Sequence, residues 1–165
     1  TSTTEIYTLS LHDALPIFEA AAIISFAGLI FMTLFQVLSR YIFSVPIAFS
    51  EEVGRFLFIW ISFLGAAIVM ERNEHIRLDV FAGKISPENY RKIQVLVFCL
   101  TGAFSLLLLA KGTEMLDVAF RQTAPVSRLS MGWVYLVIPI SSFFMAVYSA
   151  VHLFRVIRKL KGKAR

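Results

Sequence analysis

Long stretches of this 165-residue chain contain no Asp, Glu, Lys or Arg. A bilayer core about 30 Å thick needs about 20 helical residues to cross it, so each such stretch is a candidate membrane span. The uncharged stretches, with His152 counted as neutral, are residues 20–39, 56–70, 93–110 and 129–154. With polar flanks added, the pattern predicts an all-α integral membrane protein with four transmembrane helices, at about 18–39, 51–70, 90–110 and 129–154.

The polar flanks indicate where the two shorter spans begin. Ser50 is a candidate N-cap because Glu51 and Glu52 follow it in the first turn, where carboxylates favour the positive end of the helix dipole. The run Ser86-Pro87-Glu88 has the same character, with proline at the first helical position. In the fourth span, Pro139 predicts a kink.

Composition supports a membrane protein and excludes several other classes. Hydrophobic residues make up 58% of the chain and charged residues only 16%, and the mean hydropathy is +0.74, whereas about a quarter of a soluble domain is charged. The single cysteine, Cys99, allows no disulfide framework, paired-cysteine metal site or dithiol motif. The net charge of +5 lies beside apolar runs rather than in one patch, so we expect no nucleic-acid partner.

The distribution of Lys and Arg predicts the orientation. Eleven of them lie in residues 71–92 and in the tail, against five in the segments around residues 40–55 and 111–128. By the positive-inside rule, both termini and the central loop are predicted to be cytoplasmic, with the other two loops outside.

Residues 1–17 do not fit this plan. They contain no Lys or Arg, and their sequence resembles translated sequencing-adapter read-through. We interpret them as a non-native or disordered segment before a single membrane domain at 18–165. The alternative is a short native cytoplasmic arm, and an intact genomic locus encoding these residues in frame would establish it.

The first outer loop is rich in charge. Glu51 and Arg55 are four residues apart, a spacing that favours an ion pair on one helix face, and Arg40 could reach Glu52 if the loop folds back. Two interpretations remain open: anchors in the lipid headgroups or a docking surface for another subunit. The residues concerned are Arg40, Tyr41, Glu51, Glu52 and Arg55.

The second span separates aromatic from small residues. Phe58 and Trp60 lie in its first half, whereas Ser62, Gly65 and Ala66 lie in its second half. Small residues one turn apart let membrane helices approach closely. The pattern is typical either of a subunit interface or of lipid-facing aromatics combined with internal packing of the small residues.

The central loop contains His75, Arg77 and Asp79 in an alternating polar and apolar pattern. A short interfacial segment held by charge pairs is favoured over a metal or proton-relay site, because two ligands fall short of the four of structural zinc. No pair of histidines is placed to ligate haem, and no nucleophile-base constellation is present. We therefore expect no enzyme activity, no cofactor and no metal.

From Gln36 to Phe81 the sequence resembles the small permease subunit of tripartite ATP-independent periplasmic (TRAP) transporters. Helices three and four match that family in hydropathy alone. The residues that carry the resemblance are Ser39-Arg40-Tyr41-Ile42-Phe43, Pro46, Ser50-Glu51-Glu52, Arg55, Phe58, Trp60, Phe63-Leu64-Gly65-Ala66-Ala67 and His75-Ile76-Arg77-Leu78-Asp79.

The resemblance implies a multi-pass protein of a bacterial or archaeal inner membrane. Its implied partners are membrane lipid, a large permease subunit and a periplasmic substrate-binding protein. In such systems the large subunit carries the substrate and the coupling ion, commonly sodium, and the binding protein delivers organic acids such as dicarboxylates, keto acids or sialic acid. Within the family's motifs, Arg40, Glu51, Glu52 and Arg55 match the outer one. The inner motif is matched by His75, Arg77 and Asp79.

Two functional hypotheses follow. The first is a non-catalytic subunit that scaffolds the large permease, which fits the absence of charged residues from the span centres, where coupling groups are usually found. The alternative is a self-sufficient homodimeric small proton-coupled exporter with Glu19 as its acid, although Glu19 lies at the edge of a span. Flux through the isolated chain in liposomes would distinguish them.

Overall fold

The computed structural model describes residues 3–42, 47–72 and 87–162. It contains four helical segments long and apolar enough to cross a membrane, which confirms the predicted all-α membrane fold. The helices are α1 (Thr3–Ile42), α2 (Ala48–Arg72), α3 (Pro87–Ala119), α4 (Met131–Tyr135) and α5 (Val137–Gly162).

The fourth span is made of α4 and α5, which meet at Leu136. Leu136 has helical backbone angles, and its N–H donates to the Gly132 carbonyl at 3.0 Å. Pro139 has no N–H to donate to the carbonyl of Tyr135, four residues earlier, and this missing hydrogen bond explains an interruption one turn before the proline. The fourth span is therefore interrupted one turn before Pro139, and a kink at the proline stays a prediction.

Two helix boundaries differ from simple hydropathy limits. Helix α2 begins at Ala48, and the Ser50 hydroxyl donates to the Ile47 carbonyl at 2.8 Å instead of capping the helix as predicted. Helix α3 begins at Pro87, as predicted. It continues beyond its apolar run, through Lys111, and ends at Ala119, since charged side chains do not interrupt backbone hydrogen bonding.

Helix α1 also extends beyond its apolar run. The structure places residues 3–17 in the helix, and the Leu15 side chain is buried. Pro16 is tolerated within the helix. Leu15 lies beside Phe18, Ala67 and Phe144, so contacts with neighbouring helices favour this helical continuation. The non-native origin of the segment stays a prediction.

The helices pack as two pairs joined through their inner members. Helix α1 packs along α2, α3 packs along α5, and α2 packs against α5. Among the spans, the fourth has the largest buried share, whereas most of α1 and α3 faces outward. The buried cluster between the pairs comprises Ala67, Met70, Met145 and Tyr148, packed against Phe18, Phe98 and Phe144.

Small residues line the contact between α3 and α5. A Cβ placed on Gly102 would lie 3.0 Å from the Ser149 hydroxyl oxygen, so glycine permits this close approach. The Ser149 hydroxyl donates to the Phe98 carbonyl at 2.6 Å and links the two helices. Close backbone approach with a hydrogen bond between helices is a common way to stabilise a membrane bundle.

Candidate partner interface

The connection between α3 and α4 is a tight hairpin formed by residues 120–130. Thr123 and Ser130 form an antiparallel bridge, the Ala124 N–H donates to the Leu129 carbonyl at 2.8 Å, and the Ser130 hydroxyl donates to the Phe120 carbonyl at 3.2 Å. We refer to this end of the bundle as the hairpin end. The opposite end, where α2 finishes at Arg72, is the tail end.

Arg128 forms the turn of the hairpin in an uncommon backbone conformation. Its φ is +56°, in the left-handed region that favours glycine, and its N–H donates to the Ala124 carbonyl at 3.1 Å. The side chain is exposed. The turn thus presents an arginine at a position where a residue without a side chain would be less strained.

Glu52 of α2 fixes the tip of this hairpin. Its carboxylate accepts hydrogen bonds from the backbone N–H groups of Ser127, at 2.7 Å, and Val126, at 3.3 Å. Glu52 is only 3% exposed. The predicted approach of Arg40 to Glu52 is not the contact found in the structure, because the Glu52 carboxylate faces the hairpin and Arg40 is exposed.

The other charges of this end lie on the surface. The predicted ion pair between Glu51 and Arg55 is confirmed, with 3.5 Å between Oε1 and Nη2 and side chains that are 60% and 69% exposed. Tyr41, at the end of α1, is also exposed. Adjacent glutamates therefore have different environments: Glu51 belongs to an open ion pair, and Glu52 is enclosed beneath a loop.

Three small residues of α2 face outward. Ser62 and Ala66 are exposed, and a Cβ placed on Gly65 would meet nothing within 4 Å. Phe58, one turn before Ser62, is 62% exposed. These four residues define the α2 outer face, and their exposure is opposite to the internal packing that one interpretation of the sequence predicted for Ser62 and Ala66.

The remaining predicted interface residues are less informative. Trp60 is partly buried, so it contributes both to packing within the chain and to its surface. The inner motif of His75, Arg77 and Asp79 lies outside the described residues, and its structural or docking role stays a prediction.

At the tail end, Arg72 forms an ion pair with Glu19 that joins α1 to α2. The two side chains are 61% and 35% exposed. Glu19 is the acid of the exporter alternative, and here it participates in a contact between helix ends. No local pattern predicted this pair, because the residues are 53 positions apart.

The four spans define a multi-pass membrane protein. Residues 29–159 match the family model of tripartite ATP-independent periplasmic transporters, DctQ component. The chain belongs to this family, which confirms the resemblance to TRAP small permeases.

Individual relatives agree with the family. A candidate TRAP small permease of Haemophilus influenzae is 28% identical over 137 residues, covering 81% of this chain and 82% of that protein. The sialic acid TRAP small permease SiaQ of Vibrio cholerae is 25% identical, covering 82% of this chain and 79% of its own length. The isethionate TRAP permease DctMQ of Oleidesulfovibrio alaskensis is 31% identical over 84% of this chain, which spans only 22% of that protein.

Proposed function

We propose that this chain is the non-catalytic small subunit of a TRAP-type secondary transporter in the inner membrane of a bacterium or archaeon. In this role it scaffolds a large permease that carries out ion-gradient-driven uptake of an organic acid, delivered by a periplasmic binding protein. Membership of the DctQ family supports the transporter assignment. The isethionate relative supports a large partner, because the part of it that resembles this chain is about a fifth of a longer permease.

The scaffold role is mechanical. A carrier that moves one part across the bilayer needs another part that stays still, and extra helices enlarge and anchor the stationary part. In this chain the fourth span has the largest buried share, 39%, whereas α1 and α3 present long apolar surfaces. The bundle therefore has one span that packs against its neighbours and two that offer broad apolar surfaces to lipid or to a partner.

The α2 outer face is the observation that carries this proposal. Apolar side chains gain little by moving from lipid to protein, so membrane helices associate where small residues permit close packing. Ser62, Gly65 and Ala66 provide such a surface, and Phe58 adds an aromatic contact beside it. We therefore assign the main contact with the large permease to this face.

Residues of the predicted motifs take supporting roles in the proposal. Exposed Arg40, Tyr41, Glu51 and Arg55 are available to partners at the hairpin end, whereas Glu52 acts within the chain by holding the hairpin. Trp60 is partly buried and is proposed to contribute to the contact through its exposed part. On the opposite side of the membrane, the inner motif of His75, Arg77 and Asp79 is proposed to pair charges at the surface.

The substrate and the coupling ion are assigned to the partners. The centres of the four spans contain no Asp, Glu, Lys, Arg or His, and such groups usually mark ion paths within membranes. The relatives named for isethionate and for sialic acid support an organic acid as the substrate class. Dicarboxylates belong to this proposed class, and sodium is the proposed coupling ion.

A pair of matched substitutions tests the α2 outer face. Ala66→Phe adds bulk to that face, whereas Ala103→Phe adds the same bulk to an exposed position on α3. We expect Ala66→Phe to lose co-purification with the large permease, and Ala103→Phe to retain it. Helicity and the unfolding midpoint of each isolated chain verify folding. Equal co-purification of both variants would contradict the assignment of this face.

The proposed orientation has its own test. In a Cys99→Ser background, Thr123→Cys places a thiol on the exposed hairpin and Arg158→Cys places one at the tail end. A membrane-impermeant maleimide added to intact spheroplasts should label position 123 and leave position 158 unlabelled. The reverse labelling pattern would show that both termini face outward.

A further inference from the structure

The hairpin has a surface that neither the fold nor the α2 contact explains. Arg121 and Arg128 are exposed on it, together with Val126 and Leu129, which are each about half exposed. Residues 120–130 contain no Asp or Glu. We refer to these four side chains as the hairpin surface, which is cationic with an apolar component.

Glu52 of α2 holds the backbone of the hairpin surface in one conformation. The only carboxylate bonded to the hairpin tip in the described part of the chain is that of Glu52, and its oxygens are engaged by the N–H groups of Val126 and Ser127. The carboxylate therefore orders the backbone of the hairpin tip, and Arg121 and Arg128 remain exposed. A preorganised surface loses less conformational freedom on binding than a mobile loop does.

The conformation of Arg128 points to a use for its side chain. A non-glycine residue with φ of +56° is strained, and strained backbone is concentrated at functional sites. Glycine would form the same turn without this strain. The turn therefore gives up stability to keep an exposed arginine at this position.

We propose that the hairpin surface docks a soluble protein partner through an acidic patch, and that this partner is the substrate-binding protein. The inference rests on the proposed function, which places the hairpin on the periplasmic side. Charge complementarity identifies the partner's chemistry, because two arginines around apolar side chains match carboxylates around an apolar patch. A protein is favoured over anionic lipid because attraction to headgroups requires neither a fixed hairpin nor a strained turn.

The experiment titrates the binding protein against the complex of both permease subunits in nanodiscs of phosphatidylcholine. Arg128→Gly should weaken binding about threefold and Arg121→Gln together with Arg128→Gly about tenfold, the range expected for exposed charges. Arg128→Lys should restore most of the affinity. Lys111→Gln is the matched control, because it removes an exposed positive charge on α3 outside the hairpin surface.

The unfolding midpoint of each variant shows whether weaker binding comes from a lost contact or from a damaged fold. Arg128→Gly should leave the unfolding midpoint unchanged or raise it, because glycine removes the strain of the left-handed turn. Arg121→Gln alone provides an independent test, since it removes charge without changing that turn. Weaker binding by folded Arg121→Gln and Arg128→Gly variants supports the proposal.

Three results would overturn it. If the wild-type complex binds and responds to the binding protein but the arginine variants titrate identically, the docking inference fails and the proposed function stands. The same titration is repeated in nanodiscs that contain phosphatidylglycerol. If the arginine variants differ from the wild type only when this anionic lipid is present, the hairpin surface is a membrane contact instead. A wild-type complex that ignores the binding protein would remove the proposed function and this inference together.

Discussion

The two ends of the bundle join distant parts of the chain in different ways. At the hairpin end, the enclosed Glu52 carboxylate accepts hydrogen bonds from backbone N–H groups of residues 126 and 127. At the tail end, Arg72 and Glu19 form an ion pair whose side chains are 61% and 35% exposed. A carboxylate bonded to the backbone fixes the shape of a loop, whereas an exposed ion pair holds two flexible side chains and contributes little to stability.

The largest expected effect is that of Glu52→Ala. The substitution leaves the N–H groups of Val126 and Ser127 without their acceptor in a partly buried site, so the hairpin end loses its hydrogen bonds to the Glu52 side chain. We expect the largest fall in the unfolding midpoint among the variants considered, with faster hydrogen exchange at these two amides. Glu51→Ala is the matched control, because it removes the neighbouring exposed carboxylate. Equal falls in the unfolding midpoint from Glu52→Ala and Glu51→Ala would contradict the difference between the two carboxylates.

The fold and part of the hairpin end could be predicted from the sequence, because hydropathy and helical spacing are local signals. They located the four spans, the start of α3 at Pro87 and the pair of Glu51 with Arg55. The contact between Glu52 and Ser127 joins residues 75 positions apart, so no local pattern indicates it. The suggested approach of Arg40 to Glu52 depended on how the first outer loop folds, and nearness in sequence gave no information about the hairpin to which Glu52 bonds.

A second prediction concerns the packing beneath the hairpin. A Cβ on Gly132 would overlap the ring of Phe120, which also contacts Trp133 edge-on with 6.0 Å between ring centroids. Gly132→Ala should therefore lower the free energy of unfolding by about 1–3 kcal/mol. Gly65→Ala is the control because its Cβ meets open space, and alanine should stabilise the helix by up to about 1 kcal/mol. Chemical denaturation of the isolated chain in detergent measures both changes.

A third prediction examines the tail end directly. Arg72→Gln should lower the free energy of unfolding by at most about 1 kcal/mol, because its ion pair with Glu19 is open to solvent. Glu19→Gln should have a similar effect, and the double variant should lose little more than either single one. A loss from Arg72→Gln as large as that from Glu52→Ala would show that exposure does not distinguish the two ends.

The smallest effects are expected between the two ends, within the fourth span. Ser142 is fully buried, and its hydroxyl has no hydrogen-bond partner among the described residues, so Ser142→Ala should be neutral or slightly stabilising. Ser149→Ala removes the hydrogen bond to the Phe98 carbonyl and should cost about 0.6 kcal/mol, a typical value within membranes. Thermal unfolding of both variants in the same detergent measures the two changes. A larger loss of stability from Ser142→Ala than from Ser149→Ala would contradict the prediction.

Uptake by proteoliposomes tests the central claim, that this chain supports a carrier and moves no solute alone. The measurement compares vesicles containing this chain, the large permease, or both, with binding protein, labelled organic acid and an ion gradient supplied in every case. The account predicts accumulation only when both subunits are present. Accumulation by this chain alone, or full activity of the large permease without it, would contradict the account.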